Sequence, residues 1–97
     1  MLESHIRKKL DDVVWEGGRD TYSDALRVVE LDWLHPWMAQ SLSNWAEGLG
    51  EDYRERSRVV RNKCDISDPG VFVIYEHYLK ISTRYMDVHA ALRNSRI

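Results

Sequence analysis

Between Ile74 and Leu92 the apolar residues Ile74, Tyr78, Ile81, Tyr85, Val88 and Leu92 follow one another at steps of four, three, four, three and four. A strand would repeat every second residue, so a stripe of this period sustained over 19 residues requires a long helix. The run VFVIY has β-branched and aromatic strand character when taken alone, and the stripe that continues from it overrides that local preference. The stretch CDISDPGVFVIYEHY sets Asp68-Pro69-Gly70 directly ahead of the run. Asp68 suits the N-cap, where a carboxylate accepts from free first-turn amides and meets the positive end of the helix dipole. Pro69 suits the first helical position, which needs no amide hydrogen. The pattern therefore predicts a helix from about Pro69 to Arg93, entered through a short connector from Asp65 to Ser67, with the last residues, 93–97, fraying.

Three further segments carry helical spacing. Leu2, Ile6, Leu10, Val13 and Val14 recur at three- and four-residue steps with Arg7, Lys8, Asp11 and Asp12 behind them, and Gly17-Gly18 supplies a stop. Thr21-x-x-Asp24 makes a partial capping box ahead of ALRVVELDWL, in which Leu26, Val29, Trp33 and Leu34 share one side. His35-Pro36 then forces a corner and starts a third helix, because proline disfavours helical geometry at the residue before it. Leu34, Met38, Leu42, Trp45 and Leu49 stripe that helix, and Gly48 to Gly50 read as its end. EDYRERSRVVRNKC, acidic at its start and basic at its end, fits a fourth helix oriented with its dipole. Its apolar content is thin, Tyr53, Val59, Val60 and Cys64, so most of it should face solvent or a partner. The expectation is an all-α single domain over 1–97, of four to five helices, with the long C-terminal helix as its spine.

Ninety-seven residues support one core, and 43% apolar with 31% charged residues is a folding composition, not a disordered one. No apolar run approaches the roughly 20 residues of a membrane span, and MLESHIRKKL has no signal-peptide apolar stretch, so a cytoplasmic location and no membrane partner are expected. The single Cys64 cannot form an internal disulfide, which suits a reducing compartment and a buried or unreactive thiol. The net charge of -2 is unevenly spread: residues 1–52 balance to -6 and residues 53–97 to +4. A dedicated nucleic-acid binder would be more basic overall, so direct nucleic-acid binding is not expected, although a local basic face is.

The residue types that carry chemistry are poorly placed for it. His5, His35, His77, His89 and Cys64 contain no closely spaced pair of the kind zinc requires, so neither metal nor cofactor is expected. No Gly-x-Ser-x-Gly and no Gly-rich phosphate loop is present, and the acidic pairs Asp11-Asp12 and Glu51-Asp52 are adjacent, about 100° apart on a helix. An enzyme is not expected. The four tryptophans, Trp15, Trp33, Trp37 and Trp45, suit a core, but tryptophan also anchors interfaces. Trp37, beside the Pro36 corner and off the Met38-Leu42-Trp45 stripe, is the candidate anchor. Arg54, Arg56, Arg58, Arg61 and Lys63 place five cations in ten residues against Glu55 alone, and on a helix Arg54, Arg58 and Arg61 share one face, suited to phosphates or an acidic protein surface. A DNA-reading helix there would need a short turn before it, and Gly48-Leu49-Gly50 would serve, so a helix-turn-helix regulator is the alternative reading. The Asp68-Pro69 bond belongs to the only class in which the cis isomer is accessible, and an exposed connector there is a segment a prolyl isomerase could hold.

The length, the helical character, the Trp-rich first half and the segment Ser67-Asp68-Pro69-Gly70, centred on CDISDPGVF, together resemble the small anti-RecBCD proteins of lambdoid phages. The resemblance covers the whole chain without a diagnostic motif. It implies a phage-encoded, non-enzymatic protein in the host cytoplasm that binds the host RecBCD helicase-nuclease, chiefly through RecC. Binding of that kind alters the response to Chi and the degradation of DNA ends. The family is also associated with a host peptidyl-prolyl isomerase, for which Ser67, Asp68, Pro69 and Gly70 are the matching segment. Pro36, between His35 and Trp37, is bulkier around its bond. For the host enzyme, Trp37, Arg54, Arg58 and Arg61 are the candidate contacts.

Overall fold

The structure, a computed structural model, describes residues 2–31 and 36–95. Four helices account for them: α1 (Leu2–Glu16), α2 (Thr21–Leu31), α3 (Pro36–Lys63) and α4 (Pro69–Asn94), with no strand among the described residues. The expected all-α domain with a long C-terminal helix is what forms. Trp33, Leu34 and His35, and the side chain of Leu2, all assigned to apolar stripes or the corner above, lie outside the described residues.

Length mismatch sets the architecture. At 1.5 Å per residue, α3 with 28 residues and α4 with 26 run for about 40 Å, whereas α1 with 15 residues and α2 with 11 reach about 22 and 16 Å. The long pair forms an antiparallel hairpin, with Ser43 opposite His89 and Gly50 opposite Ser82. α1 lies in one groove of that hairpin, parallel to α3: Glu3 accepts from Ser41, Arg7 sits over the Trp45 ring at 5.2 Å, and Trp15 meets Tyr53. α2 then returns along α4. The short helices therefore cover only the half of the hairpin that holds the start of α3 and the end of α4, and the molecule measures 46 × 23 × 22 Å.

The core occupies that covered half. Ile6, Leu10 and Val14 of α1, Ala25 and Val29 of α2, Met38, Leu42 and Ala46 of α3, and Ile81, Tyr85, Val88, Ala91 and Leu92 of α4 are buried together. The α4 stripe enters this core from Ile81 onward, with Tyr78 half-buried. Ile74, its expected first member, is 49% exposed because no short helix reaches it.

The helix ends follow local chemistry with two departures. Gly17, at φ +66°, takes the left-handed conformation that ends α1, and Arg84 fills the space a side chain there would need while donating to the Val14 carbonyl at 3.2 Å. Asp68 caps α4 by accepting from the Gly70 amide at 2.9 Å, with Pro69 at the first position, as the sequence requires. The cap of α2, however, is Asp20 and not Thr21. The Asp20 carboxylate accepts from the Ser23 amide and hydroxyl at 3.1 and 2.7 Å, while Thr21 is buried inside the first turn. The second departure is larger. α3 continues through Gly48 and Gly50 to Lys63, so the expected third and fourth helices are one. A glycine costs a helix about 1 kcal/mol, which packing against α4 outweighs. Gly50 is buried, and its carbonyl accepts from Ser82 at 2.6 Å. A Cβ on Gly50 would come within 2.6 Å of Met86 Sδ, so the missing side chain is what lets the helices approach there.

Candidate interaction surface

Beyond the reach of α1, the α3–α4 hairpin projects as a two-helix tip. Its end is a built turn. The Asp65 carboxylate accepts from the Ser67 amide at 3.0 Å and hydroxyl at 2.6 Å, which holds its pKa below the usual 3.8. The Asp68 amide donates to the Asp65 carbonyl, and the Phe72 amide to the Asp68 carbonyl. Ser67, Asp68, Pro69 and Gly70 are all exposed, and the Asp68-Pro69 bond is trans. Cys64, expected to be buried or unreactive, is exposed at the end of α3, because no short helix covers that turn.

Around this turn the tip shows water an unusual amount of hydrocarbon. Val59, Ile66, Phe72, Val73 and Ile74 are exposed, Val73 by 64%. Sequence spacing alone missed Phe72 and Val73, yet the signal was present: Val71 to Ile74 are four consecutive apolar residues, which at 100° per residue point in every direction around a helix. A single neighbouring helix cannot cover all of them.

The cations divide. Arg54, Arg58 and Arg61 are exposed and recur at steps of four and three on one flank of α3, and Arg58 meets Glu55 at 3.4 Å. Such an exposed pair contributes little stability. Arg56 lies over the Tyr53 ring at 4.8 Å on the other flank, which Lys63 shares seven residues on. Trp37 is 65% exposed, but in the first turn of α3, roughly 30 Å along the helix from Arg58. The structure therefore groups the arginines with the Asp-Pro-Gly end and leaves Trp37 at the opposite end. It also removes the helix-turn-helix geometry, since α3 has no turn at Gly48-Leu49-Gly50.

At the boundary between covered half and tip, an aromatic lock closes α1 onto the hairpin. Trp15 Nε1–H donates to the Tyr85 hydroxyl at 3.0 Å, and that hydroxyl donates to Asp11 at 2.9 Å. Burial raises the Tyr85 phenol well above its ordinary value and raises the Asp11 carboxyl as well. Tyr53 stacks on Tyr85, and Trp15 meets Tyr53 edge-on and touches His77.

One polar chain resembles catalytic machinery in composition. His89 Nδ1 lies 2.7 Å from Ser43 Oγ, and its Nε2 lies 3.1 Å from Glu47. Ser43 is buried inside α3, beyond its first turn, where amide hydrogens are committed to the helix and cannot gather on a reacting oxygen. The chain ties α3 to α4. Among the described residues no three of His, Cys, Asp and Glu are gathered to hold a metal ion, and no helix is long and apolar enough to cross a membrane. Compared with known protein families, with curated proteins and with solved structures, the chain matches none.

Proposed function

We propose that this chain is a non-enzymatic binding protein that attaches to the host RecBCD helicase-nuclease through RecC and alters its response to Chi and its degradation of DNA ends. The observation that carries the reading is the uncovered hairpin tip. Five apolar side chains, Val59, Ile66, Phe72, Val73 and Ile74, stand exposed there, and Arg54, Arg58 and Arg61 line one flank of the same tip. Apolar anchors flanked by cations are the combination that gives a protein interface its affinity and its steering. The RecBCD identity comes from the whole-chain resemblance and the tip supplies the means of attachment. A peptidyl-prolyl isomerase is the proposed second partner, held at Ser67-Asp68-Pro69-Gly70, which is exposed and reached without disturbing the core.

The test is binding of purified chain to purified RecBCD, with Chi-dependent DNA degradation as the functional readout. Wild type should bind and shift the degradation pattern, and the triple reversal Arg54→Glu, Arg58→Glu, Arg61→Glu should weaken both. No binding by wild type refutes the reading. If instead wild type binds bare duplex DNA in a salt-dependent way and the triple variant loses that binding, a DNA-binding reading through the arginine flank, without a helix-turn-helix, replaces it. For the isomerase, Pro69→Ala should abolish association while leaving helicity nearly intact; unchanged association refutes that part.

A further inference from the structure

The groove that seats α1 does not end where α1 ends. On α3 the row that meets α1 runs through Trp45, under Arg7; Leu49, packed on the core; and Tyr53, against Trp15. At the same three- and four-residue steps it continues to Arg56, Val60 and Lys63. On α4 the matching row runs from Tyr85, bonded to Asp11 through its hydroxyl, through buried Ile81 to His77, which touches Trp15. It continues to Ile74 and Gly70, while the row holding Arg84, whose guanidinium reaches Val14, leads through His77 to Val73. Two turns of the groove therefore lie open past Trp15. Their floor is Val60 and Ile74 with Val73 on the rim, and Trp15, itself 48% exposed, forms the closed end.

We infer that this open length of groove receives an amphipathic helix of the partner, seated end to end with α1 and carrying acidic residues along the flank that faces Arg56 and Lys63. This rests on the proposed function and adds to its Arg54-Arg58-Arg61 flank a second contact, on the other flank of the same tip, with the chemistry of the element seated there. Helical shape follows from continuity: the same two rows already hold a helix, and a third helix is what fills the groove between a packed pair. Acidic character follows from charge. Asp52 and Glu16 stand at the closed end beside Trp15, and along the length from there to the turn the charged groups on the border are Arg56 and Lys63; the acidic Asp65 and Asp68 of the turn itself accept from the Ser67 and Gly70 amides. Glu55 and Glu76 fall on the outward faces of α3 and α4, and Glu55 pairs with Arg58.

Two measurements on the full chain test this. In the first, 15N-labelled protein is titrated with two designed helical peptides of the same leucine pattern, one carrying glutamates and the other lysines on its flanks. The glutamate peptide should shift the Trp15 indole and the amides of Val60, Val73 and Ile74, and the lysine peptide should not. Equal response to both peptides, or shifts centred on Phe72 and Arg54, overturns the inference. So does a dimer of the chain alone that Ile74→Asp dissociates, because the occupant is then a second copy. In the second, RecBCD binding is compared for Ile74→Asp and for Arg56→Glu with Lys63→Glu. Each should weaken binding by about tenfold or more, the charge pair less so at high salt. Wild-type binding with no loss in either variant refutes the groove while leaving the proposed function standing, and absent wild-type binding refutes the function while the peptide titration still decides the groove.

Discussion

The two halves of the α3–α4 hairpin are built from similar helix and live in different surroundings. In the covered half, α1 and α2 complete a four-helix core in which Leu10, Leu42 and Val88 are fully buried. In the tip the same two helices have only each other, and Val73 and Ile74 remain largely in water. Most helical stability comes from packing an apolar face, so a two-helix tip should open locally at a lower free energy than the core. Substitutions in the covered half should therefore unfold the molecule, and substitutions in the tip should act locally.

The largest expected difference sets Leu10→Ala against Ile74→Ala. Removing a fully buried leucine costs about 2–5 kcal/mol, and Leu10, enclosed by three other helices, should fall near about 3 kcal/mol by urea unfolding. Ile74 is 49% exposed and should lose less than about 1 kcal/mol. Equal losses would show that the tip is as cooperative as the core and would remove the distinction. Next comes the cap at the tip. Asp68→Ala removes the acceptor for the Gly70 amide, worth about 1 kcal/mol to the start of α4. The loss should appear as faster amide exchange over residues 70–75 with little change at Ile81 and Val88; uniform acceleration would again argue for one cooperative unit.

Gly48 separates what spacing could reveal from what it could not. The stripes of α1 and α4, the Asp68-Pro69 start and the Gly17 stop are all legible, because each depends on residues within a turn or two of one another. The fate of Gly48-Leu49-Gly50 is not, because glycine both ends helices and allows them to pack closely. The choice is made by Ser82 and Met86, more than thirty residues away in the chain, against which Gly50 packs. For the same reason the exposure of Ile74 was invisible to its own stripe. It depends on α1 stopping at Glu16, several turns short of the hairpin end. The arginines were legible as cations and one shared face, but not the position of Arg56 on the opposite flank over Tyr53. Trp37 was legible as exposed, but not its distance from them. Continuity of α3 makes a third prediction: a Cβ at Gly48 meets nothing within 4 Å, so Gly48→Ala should stabilise by about 0.5–1 kcal/mol. A loss there would mean that the glycine serves a bend and not a straight helix.

The smallest expected effect sets one buried site beneath the Trp15–Tyr85 lock against one exposed site in the tip, and the two differ in sign. Asp11, beneath the Trp15–Tyr85 lock, has its carboxyl raised above 3.8 by burial, which outweighs the Tyr85 hydrogen bond and Arg7. The folded state therefore holds that proton more tightly than the unfolded chain does. Its contribution is fully present below pH 3.8 and is lost as pH rises through the raised folded value. Asp65 in the tip is lowered by its bonds to Ser67, so its contribution is present above 3.8 and is lost as pH falls through the depressed folded value; Asp20, in the α1–α2 turn, shares that sign. Asp11→Asn keeps an acceptor for the Tyr85 hydroxyl without the charge, so its melting temperature relative to wild type should rise between pH 3.5 and pH 7. Asp65→Asn should give the opposite trend in amide exchange at the connector, its deficit at pH 7 shrinking toward pH 3. Acidification should then loosen the tip while the site beneath Trp15 tightens. Parallel pH trends in the two variants would mean that burial beneath the lock does not outweigh the Tyr85 hydrogen bond and Arg7 at Asp11, and the contrast between the two sites would have no titrational counterpart.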